Sequence, residues 1–318
     1  MMTIMITLTK ASTLLSCVVA AVALCCCPYR STRKEYEFII AMMRTKLPLH
    51  FVLALLCAAS LSAQTSFHRE DNAGTLITRT RGMVVSASAE ASAVGAAVLA
   101  QGGNAVDAAI AVGFALAVTY PSAGNIGGGG YIVIHMADGR EAAIDARETA
   151  PAAEHRDMSL DEQGDVVTER SLYGPLASGV PGSVHGLLTA LERFGTRGRE
   201  EMLAPALRLA KEGFPLHPRL ARHFRLMQSE FARYPHTLNT YTKNGEFYRA
   251  GERWKQPELA HTLELIRDHG IEGFYRGETA ERIVSAMRKD GGLIRVEDLA
   301  DYTSIVRKPL HGRYRDYD

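Results

Sequence analysis

Apolar residues change their spacing several times along residues 82–318, and each change predicts an element. "GMVVSAS" at 82–88 runs from apolar into small polar positions, the pattern of a buried strand entering a loop. The stretch "AEASAVGAAVLAQGGNAVDAAIAVGFALAVTYP" predicts two helices, about 90–101 and 105–118, separated by the break Gly102-Gly103-Asn104. Both are lined with Ala and Gly, so both are expected to pack closely as an internal layer. "YIVIHM" and "EAAIDA" then flank "ADGR", whose Asp138-Gly139 pair favours the tight turn of a β-hairpin, and Arg147 follows directly on the second strand.

From Gly182 the period lengthens to that of amphipathic helices, at 182–195, 199–213, 257–270 and 277–292. Each ends in glycine, which predicts a left-handed cap. A short helix at about 296–301 and a strand near 304–310 follow.

The N-terminal region has a different texture. "LPLHFVLALLCAASLSA" at 47–63 is preceded by Met42, Met43, Arg44 and Lys46 and ends in small residues. That basic, apolar, small-residue order is a secretory signal peptide, with cleavage expected after Ala63 and a secreted or periplasmic mature protein. The upstream apolar stretch 11–27 is short for a membrane span. It reads either as an anchor or second export signal, or as sequence ahead of the true start at Met42 or Met43. The division is therefore 1–41 as an apolar extension, 42–63 as the signal peptide, and 64–318 as the folded portion. All five cysteines (Cys17, Cys25, Cys26, Cys27 and Cys57) lie before residue 64, so the mature chain has no disulfide, cysteine nucleophile or thiolate metal site.

Composition narrows the classes further. With 47% hydrophobic and 22% charged residues in 318, the chain is globular and long enough for two ordinary domains or one large one. A formal charge of +1, with bases dispersed among acids, gives no electrostatic case for nucleic acid.

The glycine run "NIGGGG" at 125–130 raises phosphate binding, but a helix precedes it, a strand follows, and no Lys-Ser/Thr comes after. None of the eleven histidines forms a metal-binding pair with a neighbouring acid. His185, His217 and His261 are expected to cap helices or sit at the core edge. "ASGVPGS" around Ser178 lacks the spacing of a serine-hydrolase elbow. Arg147 stands between Asp145 and Glu148, where carboxylates could fix a guanidinium and leave its donor fork for a substrate carboxylate. An ordinary salt-bridged arginine fits the same pattern.

Longer stretches carry a family likeness. The segment from "GMVVSASAEASAVGAAVLAQGGNAVDAAIAVGFALAVTYPSAGNIGGGGYIVIH" through "AIDARETAP", "LASGVPGSVHG", "RLAKEGFPL", "GFYRGETAERIVSAM" and "GGLIRVEDLADY" resembles the large-subunit half of γ-glutamyltranspeptidases, also called glutathione hydrolases. The resemblance implies an α/β N-terminal-nucleophile hydrolase with an αββα sandwich, incomplete here because the C-terminal small subunit is missing. It implies a self-cleaving proenzyme whose freed threonine attacks the γ-glutamyl amide of glutathione. Water, an amino acid or a dipeptide then resolves the γ-glutamyl enzyme, without metal or organic cofactor. Arg147 in "DARETAP" matches the family's arginine for the α-carboxylate of the γ-glutamyl group. Ala146 stands where the family commonly has an aromatic residue, which bears on the local pocket wall. The glycine run then reads as structural, letting the backbone pass close to the layer that holds Arg147. No T-T-H-x-S motif occurs, so the nucleophile is expected downstream of Asp318 and the chain alone is expected to be inactive. Two other readings stay open: a related glutaryl or cephalosporin acylase, and an inactive pseudo-subunit that binds a partner.

Overall fold

The computed structural model describes residues 82–317. The extension 1–41, the signal peptide 42–63 and the cysteines lie outside the described residues. Residues 82–88 do not form the expected strand. Gly82 makes an isolated bridge, Met83 and Val85 are exposed, and no ladder builds on them among the described residues. The serines instead prepare a helix, with the Ser88 side chain accepting from the Ala91 N–H at 3.3 Å.

That helix is α1 (Ala89–Ala100), and α2 (Ala105–Thr119) follows. A reciprocal box starts α2: the Asp107 N–H donates to Asn104 Oδ1 at 2.9 Å, and the Asn104 N–H donates to Asp107 Oδ2 at 2.8 Å. The expected internal layer is α2 alone, which is buried at nearly every position from Val106 to Thr119. Helix α1 buries only Ala91, Gly95 and Val98 and lies outside it.

The hairpin forms as expected from β1 (Gly130–His135) and β2 (Glu141–Ala146), with Gly139 at φ 84° in its turn. After a short helix, α3 (Thr168–Leu172), and a 3-10 turn at Pro175–Ala177 come α4 (Ser183–Phe194) and α5 (Arg199–Glu212). The region between the long amphipathic helices carries elements that periodicity did not reveal: β3 (Phe214–Pro215), α6 (Pro218–Leu226), α7 (Gln228–Ala232), α8 (Pro235–Tyr241), β4 (Thr242–Lys243), β5 (Glu246–Phe247) and β6 (Arg253–Trp254). They gather around Trp254, fully buried against Phe214, Phe224 and Tyr241, with its indole N–H on the Thr240 carbonyl at 3.0 Å. The chain closes with α9 (Pro257–His269), α10 (Glu272–Tyr275), α11 (Gly277–Asp290), α12 (Val296–Ala300) and β7 (Ile305–Arg307).

The predicted caps hold only in part. Gly291 alone takes the left-handed conformation, with φ 77° and ψ 23°; Gly213 and Gly270 have positive φ of 75° and 67° but ψ of 170° and −137°, and Gly195 has φ −75°. Gly195 is needed for room: a Cβ there would stand 2.5 Å from Leu191 O and 2.8 Å from Asp107 Oδ1. The Asp107 carboxylate, fully buried, also accepts from the Thr196 N–H, the Thr196 hydroxyl and the Arg197 N–H, at 2.8, 2.6 and 3.1 Å. It ties the start of α2 to the exit of α4. Of the histidines, His217 caps α6 by accepting from the Arg219 N–H, His185 sits half-buried on α4, and His261 is on the surface in a pair with Glu278.

The sheet has strand order β1-β2-β7, all antiparallel. One face, with Ile134, Ala142, Ile144 and Ala146, is buried against the helical layer that includes α2 and α4. The alternate residues Tyr131, Val133 and Ile305 are large, apolar and exposed on the other face. The described residues thus form a helical layer on one sheet, one half of the expected sandwich.

Candidate functional site

Arg147 lies immediately beyond β2, where the inward Ala146 and the outward Asp145 alternate. Ala146 is buried, and a Cβ on Gly186 of α4 would stand 2.3 Å from its Cβ. By the period-two alternation Arg147 therefore continues the uncovered face that carries Asp145. The exchange of an aromatic residue for Ala146 thus falls on the helix side of the strand and leaves the Arg147 side untouched.

The two expected carboxylates divide their roles. Asp145 is held by Arg307 of β7, whose Nη2 and Nε donate to Asp145 Oδ2 at 3.0 and 3.2 Å. Its other oxygen accepts the backbone N–H of Arg147 at 3.3 Å. Glu148 is the side-chain partner, with Oε2 at 3.4 Å from Arg147 Nε. That oxygen is buried and accepts no hydrogen bond among the described residues. The Arg147 side chain is 54% exposed, and only its Nε faces a carboxylate; its terminal nitrogens make no hydrogen bond among the described residues. A guanidinium held on one edge presents its other donors as a fork that matches a ligand carboxylate.

The backbone around Arg147 is held from three sides. On one side lies the glycine loop. A Cβ on Gly129 would stand 2.4 Å from Ala146 O, 2.8 Å from Glu148 N and 3.0 Å from Arg147 Cα, so only glycine lets the two chains approach this closely. The expected structural role of the run is thus located: what approaches it is the peptide on either side of Arg147. On the second side Thr149 and Val180 exchange backbone bonds, Thr149 N–H to Val180 O at 3.2 Å and Val180 N–H to Thr149 O at 2.8 Å. The same turn donates the Gly182 and Ser183 N–H groups to Gly128 O at 2.8 and 2.9 Å. On the third side the Tyr302 hydroxyl donates to Arg147 O at 2.9 Å.

Tyr302 and its neighbours were not found by sequence reasoning. They come from an aromatic cluster in which Tyr302 stacks on Tyr275, ring centroids 5.5 Å apart, and both rings meet His185 edge-on. Burial raises the Tyr275 phenol far above its ordinary range and lowers the His185 imidazole, which stays neutral among Thr189 and Ser304. No local motif marks such a contact between positions 155 apart. Beside Glu148, but not including Arg147, lies an open cleft of about 740 Å³ bordered by Thr149, His155, Ser159, Ser171 and Ser178. Among the described residues no three His, Cys, Asp or Glu side chains converge in a way that could hold a metal ion.

The family model for Gamma-glutamyltranspeptidase matches residues 91–318. The chain is 43% identical over 261 residues to the glutathione hydrolase proenzyme of Escherichia coli, covering 82% of this chain and 45% of that one. It is 38% identical over 247 residues to the Acylase ACY 1 proenzyme of a Pseudomonas species, covering 76% of this chain and 44% of the relative. The crystal structure of Helicobacter pylori gamma-glutamyltranspeptidase superposes with a TM-score of 0.74 at 44% identity, covering 76% of this chain and 69% of that one. The chain thus spans about half the length of the curated relatives it matches. The layered fold is that of the N-terminal-nucleophile hydrolases, and with the family model matching residues 91–318 the chain belongs to the γ-glutamyltranspeptidase family.

Proposed function

We propose that this chain supplies the large-subunit portion of a γ-glutamyltransferase and glutathione hydrolase, with Arg147 as the ligand of the substrate's α-carboxylate. The observation that carries the reading is the Arg147 fork: its Nε pairs with Glu148, its terminal donors are uncommitted among the described residues, and its backbone is held close by Gly129 and by the Tyr302 hydroxyl. Pre-setting a guanidinium in this way reduces the ordering cost of binding a carboxylate.

The bond-breaking group in this proposal is a threonine carried by the full-length protein outside the present chain. Its own α-amino group takes the hydroxyl proton, the alkoxide attacks the γ-glutamyl carbonyl, and the amine leaves with that proton, leaving a γ-glutamyl ester. Water releases glutamate from the ester; an amino acid or dipeptide takes the γ-glutamyl group instead. The uncovered sheet face with Tyr131, Val133 and Ile305 is where the partner small subunit would pack. We further propose export through 47–63; no described helix is long and apolar enough to cross a membrane.

The similarity to an acylase favours a second reading, in which the same arginine holds a glutaryl carboxylate. Both groups end in a carboxylate, but only γ-glutamyl carries an α-amino group beside it. Assaying the full-length protein on γ-glutamyl-p-nitroanilide and glutaryl-p-nitroanilide separates them. Higher kcat/KM on the γ-glutamyl compound is expected, and turnover of the glutaryl compound alone would overturn the first reading.

A further inference from the structure

We infer that Tyr302 is a positioning residue for Arg147: its phenol, braced on Tyr275, holds the Arg147 carbonyl and so sets the direction in which the guanidinium leaves the end of β2. The inference rests on the proposed reading of Arg147 as the carboxylate ligand. It concerns a residue on the loop between α12 and β7, far from Arg147 in sequence.

The geometry makes this contact specific. Tyr302 is 6% exposed, and its ring lies parallel to that of Tyr275, the planes 6° apart. Tyr275 is itself fixed, since its hydroxyl donates to Pro181 O at 2.8 Å and accepts the His185 N–H at 3.3 Å. The brace is therefore anchored in the turn whose Val180 pairs with Thr149. Space for the phenol is provided by a missing side chain: a Cβ on Gly182 would stand 2.0 Å from the Tyr302 hydroxyl oxygen and 2.3 Å from Ala146 O. Burial, and then the charges of Asp145 and Glu148, push the Tyr302 phenol up to about 12, so it remains a donor across the working pH range. A guanidinium sits at the end of a long flexible stem, so a small rotation of its own peptide is amplified at the donor fork. Holding the carbonyl limits that rotation.

The test uses the full-length protein with Tyr302→Phe, which keeps the ring and its stacking and removes only the hydroxyl. With one neutral hydrogen bond lost, KM for γ-glutamyl-p-nitroanilide is expected to rise about fivefold to tenfold while kcat stays within about twofold. The 4-aminobutanoyl analogue, which lacks the α-carboxylate, should show no such rise. Thr279→Val is the control: it removes a buried hydroxyl that donates to Gly273 O at 2.8 Å, outside the Tyr302–Tyr275 stack and without touching Arg147, and should lower the thermal midpoint with KM unchanged. An equal KM rise in both variants, or an equal loss on both substrates, would overturn the inference. Hydrogen exchange gives a readout independent of turnover. The Thr149 amide should exchange several-fold faster in Tyr302→Phe while amides of α9 do not change, and an unchanged Thr149 overturns the inference even if the protein proves inactive on γ-glutamyl compounds. Absence of γ-glutamyl turnover in the unmodified protein, with Thr149 responding as expected, would instead count against the proposed substrate alone.

Discussion

Gly129 lies so close to Ala146 that a Cβ on the glycine would stand 2.4 Å from the alanine carbonyl oxygen. The neighbouring Gly130, within β1, has nothing within 4 Å of the same position. Adjacent residues of one glycine run therefore have different reasons to lack a side chain. The first permits an approach between backbones; the second does not need to.

Substitution should separate them. Gly129→Ala must push apart two main chains that cannot yield as a flexible side chain would, and is expected to destabilise by at least about 1 to 3 kcal/mol, the range for overpacking. Gly130→Ala should be neutral or stabilise by about 0.5 to 1 kcal/mol, since it removes backbone entropy from the unfolded chain without a clash. Urea unfolding of the two variants checks this, and equal effects would refute the assigned contact.

Arg147→Ala in the full-length protein is expected to lose about 2 to 5 kcal/mol of transition-state binding on γ-glutamyl substrates, the range for truncating one member of a desolvated charge pair. Arg147→Lys should recover little of it, because an ammonium cannot make two parallel bonds to one carboxylate. Steady-state kcat/KM is the measurement. A lysine variant of unmodified efficiency would mean that the fork geometry is not used.

Asp107 should make stability depend on acid. Burial alone would raise its pKa, but the hydrogen bonds from Thr196, Asn104 and Arg197 outweigh it and hold the folded-state carboxyl below its ordinary value. A depressed folded pKa means that the unfolded state binds the proton more readily. The contribution is therefore present above the unfolded pKa of about 3.9 and is lost as pH falls through the folded value. Asp107→Asn is expected to cost about 1 to 3 kcal/mol near neutral pH, with the gap to the parent narrowing below about pH 4. Thermal melts at a series of pH values measure that gap, and one that widens in acid would reverse the sign assigned here.

Export predicts a defined new N-terminus. If 47–63 is removed as a signal peptide, the mature protein recovered after secretion should begin at Gln64. N-terminal sequencing reads this directly; a product that retains Met42 or Met43 would remove the secretory proposal.

Much of the site's framework was legible in residue order, because its signals are local. The alternation in "YIVIHM" and "EAAIDA" with Asp138-Gly139 between them specifies a hairpin from neighbours alone, and Arg147 follows from counting onward. The small-residue composition of α2 likewise announced a buried helix, since no polar face was left to turn to water. Periodicity failed where packing overrides it. The run 82–88 looks like a strand but has no partner ladder among the described residues, and α6 to α8 are organised by an aromatic cluster, Phe224 and Tyr241 on Trp254 and Phe231 on Tyr241, rather than by their own pattern. Tertiary structure alone decided that the Asp145 carboxylate pairs with the Arg307 guanidinium and not with that of Arg147, that Glu148 pairs with Arg147 Nε, and that Tyr302 reaches the Arg147 carbonyl through the gap left by Gly182. The physical reason is the range of the interactions: hydrogen-bonded turns and amphipathic faces are set by residues a few positions apart, whereas the grip on Arg147 is made by groups that meet only after the sheet and helices have packed.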